Sequence, residues 1–120
     1  MNLRINDIFK KLYESNPYLG NLLFVDVETT GLEKDAKIIE IGAIVTSFDG
    51  FDVHIKTFEE LINPGVPVIP KITEITGITN EELSTARGDE VYAEFLDWVQ
   101  KNNPSKRSNR TFYKRSDKPI

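Results

Sequence analysis

The stretch FVDVETTGL, residues 24–32, sets two carboxylates inside a run of core-forming residues. Asp26 and Glu28 sit two apart, flanked by Phe24, Val25 and Val27. Side chains at i and i+2 of a strand share a face, with their alpha carbons about 7 Å apart. Burying charge without compensation costs several kcal/mol, so a strand that only builds a core does not carry such a pair. The chain leaves the strand at once through Thr29, Thr30 and Gly31, and open α/β sheets bind ligands beyond strand ends of this kind. Two hard oxygen ligands with space beside them suit Mg²⁺ or Mn²⁺, which keep waters for substrate phosphates. From the D-x-E spacing alone a second reading stands beside this one: two acids at a solvent-exposed strand end.

Outward from that stretch, the hydrophobic pattern predicts three sequential strands. NLLFVDV (21–27) is apolar on both faces, which marks a central strand covered on both sides. In KIIEIGAIVTSF (37–48), Ile39, Ile41, Ala43 and Val45 alternate with Glu40, Gly42 and Thr46. Asp49-Gly50 is a hairpin turn signal, and FDVHIKTFEELI (51–62) comes next as the third strand. Short connections predict an antiparallel meander. The period then changes to a helical one. After the Pro/Gly-rich NPGVPVIP (63–70), Pro70 can start a helix and Gly77 can stop it. TNEEL (79–83) is a capping box, with Thr79 as the cap and Glu82 three residues on. DEVYAEFLDWVQ (89–100) repeats Val91, Phe95, Trp98 and Val99 at helical spacing, widened by Tyr92 and Leu96. Ahead of the strands, Ile5, Ile8, Phe9 and Leu12 predict a short amphipathic helix, with Asn6 a candidate cap. It reads as packing on the domain rather than on a membrane.

A chain of 120 residues supports one core, and its 39% hydrophobic and 28% charged content is ordinary for a soluble globular protein. No apolar run reaches membrane-spanning length, and the N-terminus lacks the pattern of a signal peptide. With no cysteine there are no disulfides or thiolate metal sites, and cytoplasm is the expected compartment. The net charge of −4 conceals an asymmetry: residues 102–120 carry six basic side chains and one acid, +5, which leaves −9 on residues 1–101. The sequence divides accordingly into a helix and linker (1–20), a main domain portion (21–101) and a basic segment (102–120) in which no regular structure is expected.

FVDVETTGL, then IIEIGAIV, LINPGVPVIPKITEITGIT and EFLDWV, together resemble the DnaQ-like exonucleases of the DEDD superfamily. That group includes the epsilon proofreading subunit of bacterial DNA polymerase III and the PolC-type exonuclease domain. The resemblance runs in matching order from about residue 21 to residue 100. It implies an α/β, ribonuclease H-like fold, incomplete here: a three-strand antiparallel meander followed by helices, with the later parallel strands absent. It implies metal-dependent 3′–5′ hydrolysis of phosphodiester bonds at single-stranded or frayed 3′ ends, DNA favoured, with a DNA polymerase subunit as partner. Asp26 and Glu28 match the first two of four acids that hold a catalytic pair of Mg²⁺ or Mn²⁺ ions. Thr29, Thr30, Gly31 and Leu32 match the segment that holds the terminal nucleotide. Ile72, Ile75, Thr76, Gly77 and Ile78 match the opposite wall.

The departures bear on activity. The resemblance implies a strand ending in a histidine-asparagine stretch with a third acid, then a general-base histidine with a fourth acid, and neither pattern occurs in the chain. His54, the single histidine, falls mid-strand and reads as a surface residue. A two-metal site would be only partly formed, and activity is expected to be weak or absent. The switch to basic sequence after Lys101 is what a shifted frame or early stop produces, and equally what a divergent tail produces. Two further readings therefore accompany the nuclease: a non-catalytic nucleic-acid-binding module, and a fragment without independent function.

Overall fold

The computed structural model describes residues 4–16, 18–31, 33–102 and 110–115. Three strands follow the alternation closely: β1 (Leu22–Thr29), β2 (Ile38–Phe48) and β3 (Val53–Leu61). They pair antiparallel in sequence order, as the short connections require. At the hairpin, Asp49 Oδ1 accepts the backbone N–H groups of Phe51 and Asp52, both at 2.8 Å, and Gly50 takes the positive φ of 98° that the turn needs.

A fourth strand, β4 (Arg110–Arg115), lies parallel to β1 on its other edge, giving the order β3-β2-β1-β4. This differs from the expectation of three strands and a basic segment without regular structure. The physical reason is the edge itself. β1 is apolar on both sides of the sheet, and an unpaired edge leaves a row of backbone donors and acceptors to satisfy. Thr111, Phe112 and Tyr113 are strand-favouring types, a signal too short to register against the surrounding charges.

Leu23, Val25 and Val27 of β1 share a face with Val45, Ala43 and Ile41 of β2, their partners in register. Helix α4 (Glu90–Asn102) covers that face, with Val91, Phe95, Trp98 and Val99 packed against it. Phe58 of β3 meets Phe95 and Trp98 at ring-centroid distances of 5.3 and 5.6 Å. The opposite face carries Leu22, Phe24, Asp26 and Glu28. Helix α1 (Ile5–Ser15) packs there through Phe9 on Phe24, at 5.5 Å, and Tyr13 stacked on Phe48, at 5.4 Å. The helix begins one residue ahead of the expected cap Asn6. It is also turned from the expected face, since Ile8 and Leu12 are exposed while Tyr13 is buried.

Two short helices close the end of the sheet. In α2 (Pro70–Thr76), Pro70 lies in the first turn and Gly77 caps the end at a φ of 79°. In α3 (Asn80–Thr85), Thr79 Oγ1 accepts the Glu82 N–H while Glu82 Oε1 accepts that of Thr79, both at 3.1 Å. Both helices form where their start and stop signals lie. Ile72, Ile78 and Leu83 pack with Val68 and Ile39 into a small core that fixes this end of the molecule.

Candidate functional site

Strand alternation gives Asp26 and Glu28 a common face. Val27 between them is buried against α4, Asp26 is exposed, and Glu28 is half-buried. The α1 aromatics end at Phe24, one step short of Asp26 along that face. Across the strands, Asp26 is in register with Gly42, and Gly42 with Glu59 of β3. Glu28 is in register with Glu40. Four carboxylates, Asp26, Glu28, Glu40 and Glu59, thus belong to one face at one end of the sheet. The glycine in their midst leaves the position beside Asp26 without a side chain.

Like charges close together oppose each other, and Glu40 registers the effect. Burial holds its carboxyl above the ordinary glutamate range, and Glu59, Asp26 and Glu82 push it further in the same direction. Glu40 is the residue the sequence did not single out. Its alternation with Ile39 and Ile41 marked only an outward-facing position, and the register with Glu28 is a tertiary fact. Beside it, Glu40, Glu59, Glu82 and Arg87 help to line an open cavity of about 500 Å³.

The loop after β1 is held from both sides. Thr29 Oγ1 donates to the carbonyl of Gly31 at 2.6 Å and accepts the Gly31 N–H at 3.2 Å. Thr30 exchanges two bonds with Lys37: its N–H donates to the Lys37 carbonyl at 2.9 Å, and its Oγ1 accepts the Lys37 N–H at 3.0 Å. Lys37 Nζ then donates to the Pro64 carbonyl at 3.1 Å, tying this loop to the one before α2. Between the two loops lies a cavity of about 300 Å³ lined by Thr30, Glu33, Asp35, Lys37 and residues 66–69. Leu32 lies outside the described residues.

The residues expected to form the opposite wall differ in burial. Ile72 and Ile78 are 1% and 6% exposed and belong to the core, because two short helices and the turn between them must bury their few aliphatic side chains to stay folded. Ile75 and Thr76 are half-buried and Gly77 is exposed. The cavity beside Thr30 is lined on its other side by the loop before α2, where Val66 and Ile69 are each 54% exposed. An exposed apolar pair in a Pro/Gly-rich loop was the signal for that lining. His54 lies at the far hairpin, with Nε2 2.8 Å from Asp49 Oδ2, and takes no part in the carboxylate face.

Mg²⁺ is commonly held by one or two carboxylates, with waters and substrate phosphates completing its shell. Asp26 and Glu28 fit that requirement for one ion: they share a face, and the first is open to solvent. Among the described residues no group of three or more histidine, cysteine, aspartate or glutamate side chains is arranged to hold a metal. Among them, too, no helix is long and apolar enough to cross a membrane.

The pattern of a family described as exonuclease (RNase_T) matches residues 23–118. The DNA polymerase III PolC-type of Thermotoga maritima is 35% identical over 100 residues, covering 80% of this chain and 7% of the polymerase. That of Bacillus cereus is 40% identical over 76 residues, covering 62% of this chain and 5% of the polymerase. Among solved structures, the nuclease domain of 3′hExo, a DEDDh family member bound to rAMP, superposes with a TM-score of 0.64 at 20% identity, covering 78% of this chain and 50% of that one. Cell-death related nuclease 4 gives a TM-score of 0.62 at 22% identity, covering 78% and 34%. The chain thus spans a small part of these polymerases, and half or less of these two nucleases.

Proposed function

The chain belongs to the exonuclease family, and on that premise we propose that it binds the 3′ ends of single-stranded or frayed nucleic acid, DNA favoured, and hydrolyses them weakly with a divalent ion. The observation that carries this reading is the common face of Asp26 and Glu28 at the end of a strand covered on both sides. Those two carboxylates would hold Mg²⁺ or Mn²⁺. When bound there, such an ion supplies charge neutralisation on a phosphate oxygen and a more acidic water. Thr29 and Gly31 would stiffen the loop that receives the terminal nucleotide. Thr30, Val66 and Ile69 would form its two walls, with Ile75, Thr76 and Gly77 farther along. The PolC-type relatives support a setting beside a DNA polymerase in the cytoplasm.

No histidine sits beside the carboxylates, because the single one bonds to Asp49 at the hairpin. A positioned base contributes about 10² to 10⁴ in rate, so hydrolysis is expected to be slower by that factor than with one in place. The same observation favours a second reading, a module that grips 3′ ends without cutting them.

Electron paramagnetic resonance titration of Mn²⁺ in the presence of a deoxynucleoside monophosphate separates these readings from a bland one. The full chain is expected to bind Mn²⁺ at millimolar concentration or below. Asp26→Asn should weaken it by roughly tenfold or more, on the scale that groups around metal sites command. Equal binding by both proteins, or none by either, overturns the proposal. Hydrolysis of a 3′-labelled oligonucleotide then distinguishes a cutting module from a gripping one.

A further inference from the structure

The hydrogen bonds around the loop after β1 converge on one residue. The backbone of Lys37 takes both Thr30 bonds, accepting the Thr30 N–H at 2.9 Å and donating its own N–H to Thr30 Oγ1 at 3.0 Å. Its side chain reaches a different loop, where Nζ donates to the carbonyl of Pro64 at 3.1 Å. Glu33 and Asp35 line the same cavity as Lys37, yet among the described residues Lys37 forms no ion pair. The ammonium is committed to a neutral carbonyl, and a charged donor makes the stronger class of hydrogen bond.

The loop that receives this bond is poor in donors. In NPGVPVI (63–69) the prolines at 64 and 67 have no N–H. Its ends are fastened elsewhere: the Asn63 N–H donates to the Arg87 carbonyl at 2.8 Å, and Val68 exchanges bonds with the Asn80 side chain at 2.8 and 3.1 Å. Between those ends, Asn63 Oδ1 accepts the Gly65 N–H at 2.8 Å, a bond inside the loop, while Lys37 ties Pro64 across to the loop after β1. Val66 lies in the stretch so tied and lines the same cavity of about 300 Å³ as Thr30. Ligand cavities run from about 300 Å³ upward, so this one tolerates little change in the spacing of its two loops.

From this arrangement we propose that Lys37 is a positioning residue for the terminal nucleotide. Its backbone and its side chain together hold the two loops at the spacing the nucleotide needs. The inference rests on the function proposed above and adds what keeps the receiving cavity at one width. Loops already held in the binding geometry spare a ligand the cost of ordering them, so the effect belongs to nucleotide affinity and not to the metal.

The test is isothermal titration calorimetry of a deoxynucleoside monophosphate with the full chain in Mn²⁺, beside Mn²⁺ titration by electron paramagnetic resonance. Lys37→Met removes the donor and keeps the aliphatic stem. Nucleotide affinity should fall by about fivefold or more, on the scale of a lost charge-assisted hydrogen bond, while Mn²⁺ affinity stays within about twofold. Lys37→Arg restores a charged donor and should bring nucleotide affinity back to within about twofold of the parent. Lys34→Met removes the same charge from an exposed position of the same loop and should leave nucleotide affinity unchanged. Equal losses from Lys34→Met and Lys37→Met would mean diffuse attraction and overturn the proposal. So would no recovery with arginine, or a fall in Mn²⁺ affinity as large as the fall for the nucleotide. Hydrogen exchange of the parent gives an arm that needs no variant. Saturating monophosphate should slow amide exchange in residues 33–37 and 63–69 together, and slowing in one loop alone overturns the proposal. If the parent binds Mn²⁺ and the nucleotide, but Lys37→Met changes neither, this inference alone fails. If the parent binds no nucleotide in Mn²⁺, the functional reading fails with it.

Discussion

The two faces of β1 are built from alternate residues of one strand and do opposite things. Leu23, Val25 and Val27 look onto α4 and form the main core with Ile41, Ala43 and Val45. Leu22 and Phe24 start the other face in the same manner, under α1, but Asp26 and Glu28 finish it with charge. On the first face each side chain has an apolar partner and contributes stability through burial. On the second, packing ends at Phe24 and gives way to a set of like charges whose mutual repulsion opposes folding. The difference teaches that this site is a place where the fold gives up stability, supported by a core one residue away on the same strand.

Substitutions can break that contrast, and the largest effect belongs to the packed face. Phe95 touches both Phe58 and Trp98, at 5.3 and 6.3 Å between ring centroids. Phe95→Ala should destabilise by about 3 kcal/mol, the lower end for a phenylalanine truncated in a core, as read from urea unfolding. Asp26→Asn under the same conditions should leave stability equal or slightly higher, while Mn²⁺ binding drops. If Asp26→Asn instead destabilises as Phe95→Ala does, the acid is a structural element and the two faces are not distinct.

The packed face was legible in the sequence and the charged one only in part. The alternation in residues 38–48 and the stripe at Val91, Phe95, Trp98 and Val99 state which side is buried, because a strand and a helix each have one period. The turn at Asp49-Gly50, the capping box at Thr79 and the stop at Gly77 were equally plain, since each depends on local backbone chemistry. Asp26 and Glu28 were visible for the same reason: a two-residue spacing on a strand fixes a common face. What pairs with them was not. Glu40 and Glu59 join that face through the register of β2 and β3, and β4 takes the edge of β1 through a parallel pairing separated by more than eighty residues. Ile72 and Ile78 resembled a ligand wall in sequence, but the small core of α2 and α3 claims them.

A second test sharpens the contrast within the charged face, where α1 supplies the cover. Tyr13 is 2% exposed, and its hydroxyl donates to the Thr46 carbonyl at 3.0 Å and lies 2.9 Å from Thr46 Oγ1. Thr46 is itself fully buried, so removing the hydroxyl leaves polar atoms there short of a partner. Tyr13→Phe should cost about 1 kcal/mol, whereas Leu12→Ala, one residue away but exposed, should fall within about 0.5 kcal/mol of the parent. Comparable losses from both would mean that α1 packs through Ile8 and Leu12 after all.

The smallest effect is the most specific to the charged face. The Glu40 carboxyl is raised above its ordinary range by burial first, then by Glu59, Asp26 and Glu82. A raised folded-state value means that the folded protein holds the proton more tightly than the unfolded chain. Glu40 therefore favours folding below the ordinary glutamate range, and that contribution is lost as pH rises through the raised value. At neutral pH the ionised group opposes folding, so Glu40→Gln should raise stability there. Solvent screening at this half-open position limits the gain to a fraction of a kcal/mol. The gain should vanish below the ordinary glutamate range, where parent and variant are both uncharged at residue 40. It should also shrink when Mn²⁺ is added, because a cation at Asp26 and Glu28 relieves the same repulsion in the parent. A gain that is independent of both pH and Mn²⁺ would assign the effect to packing and separate Glu40 from the field of the carboxylate pair.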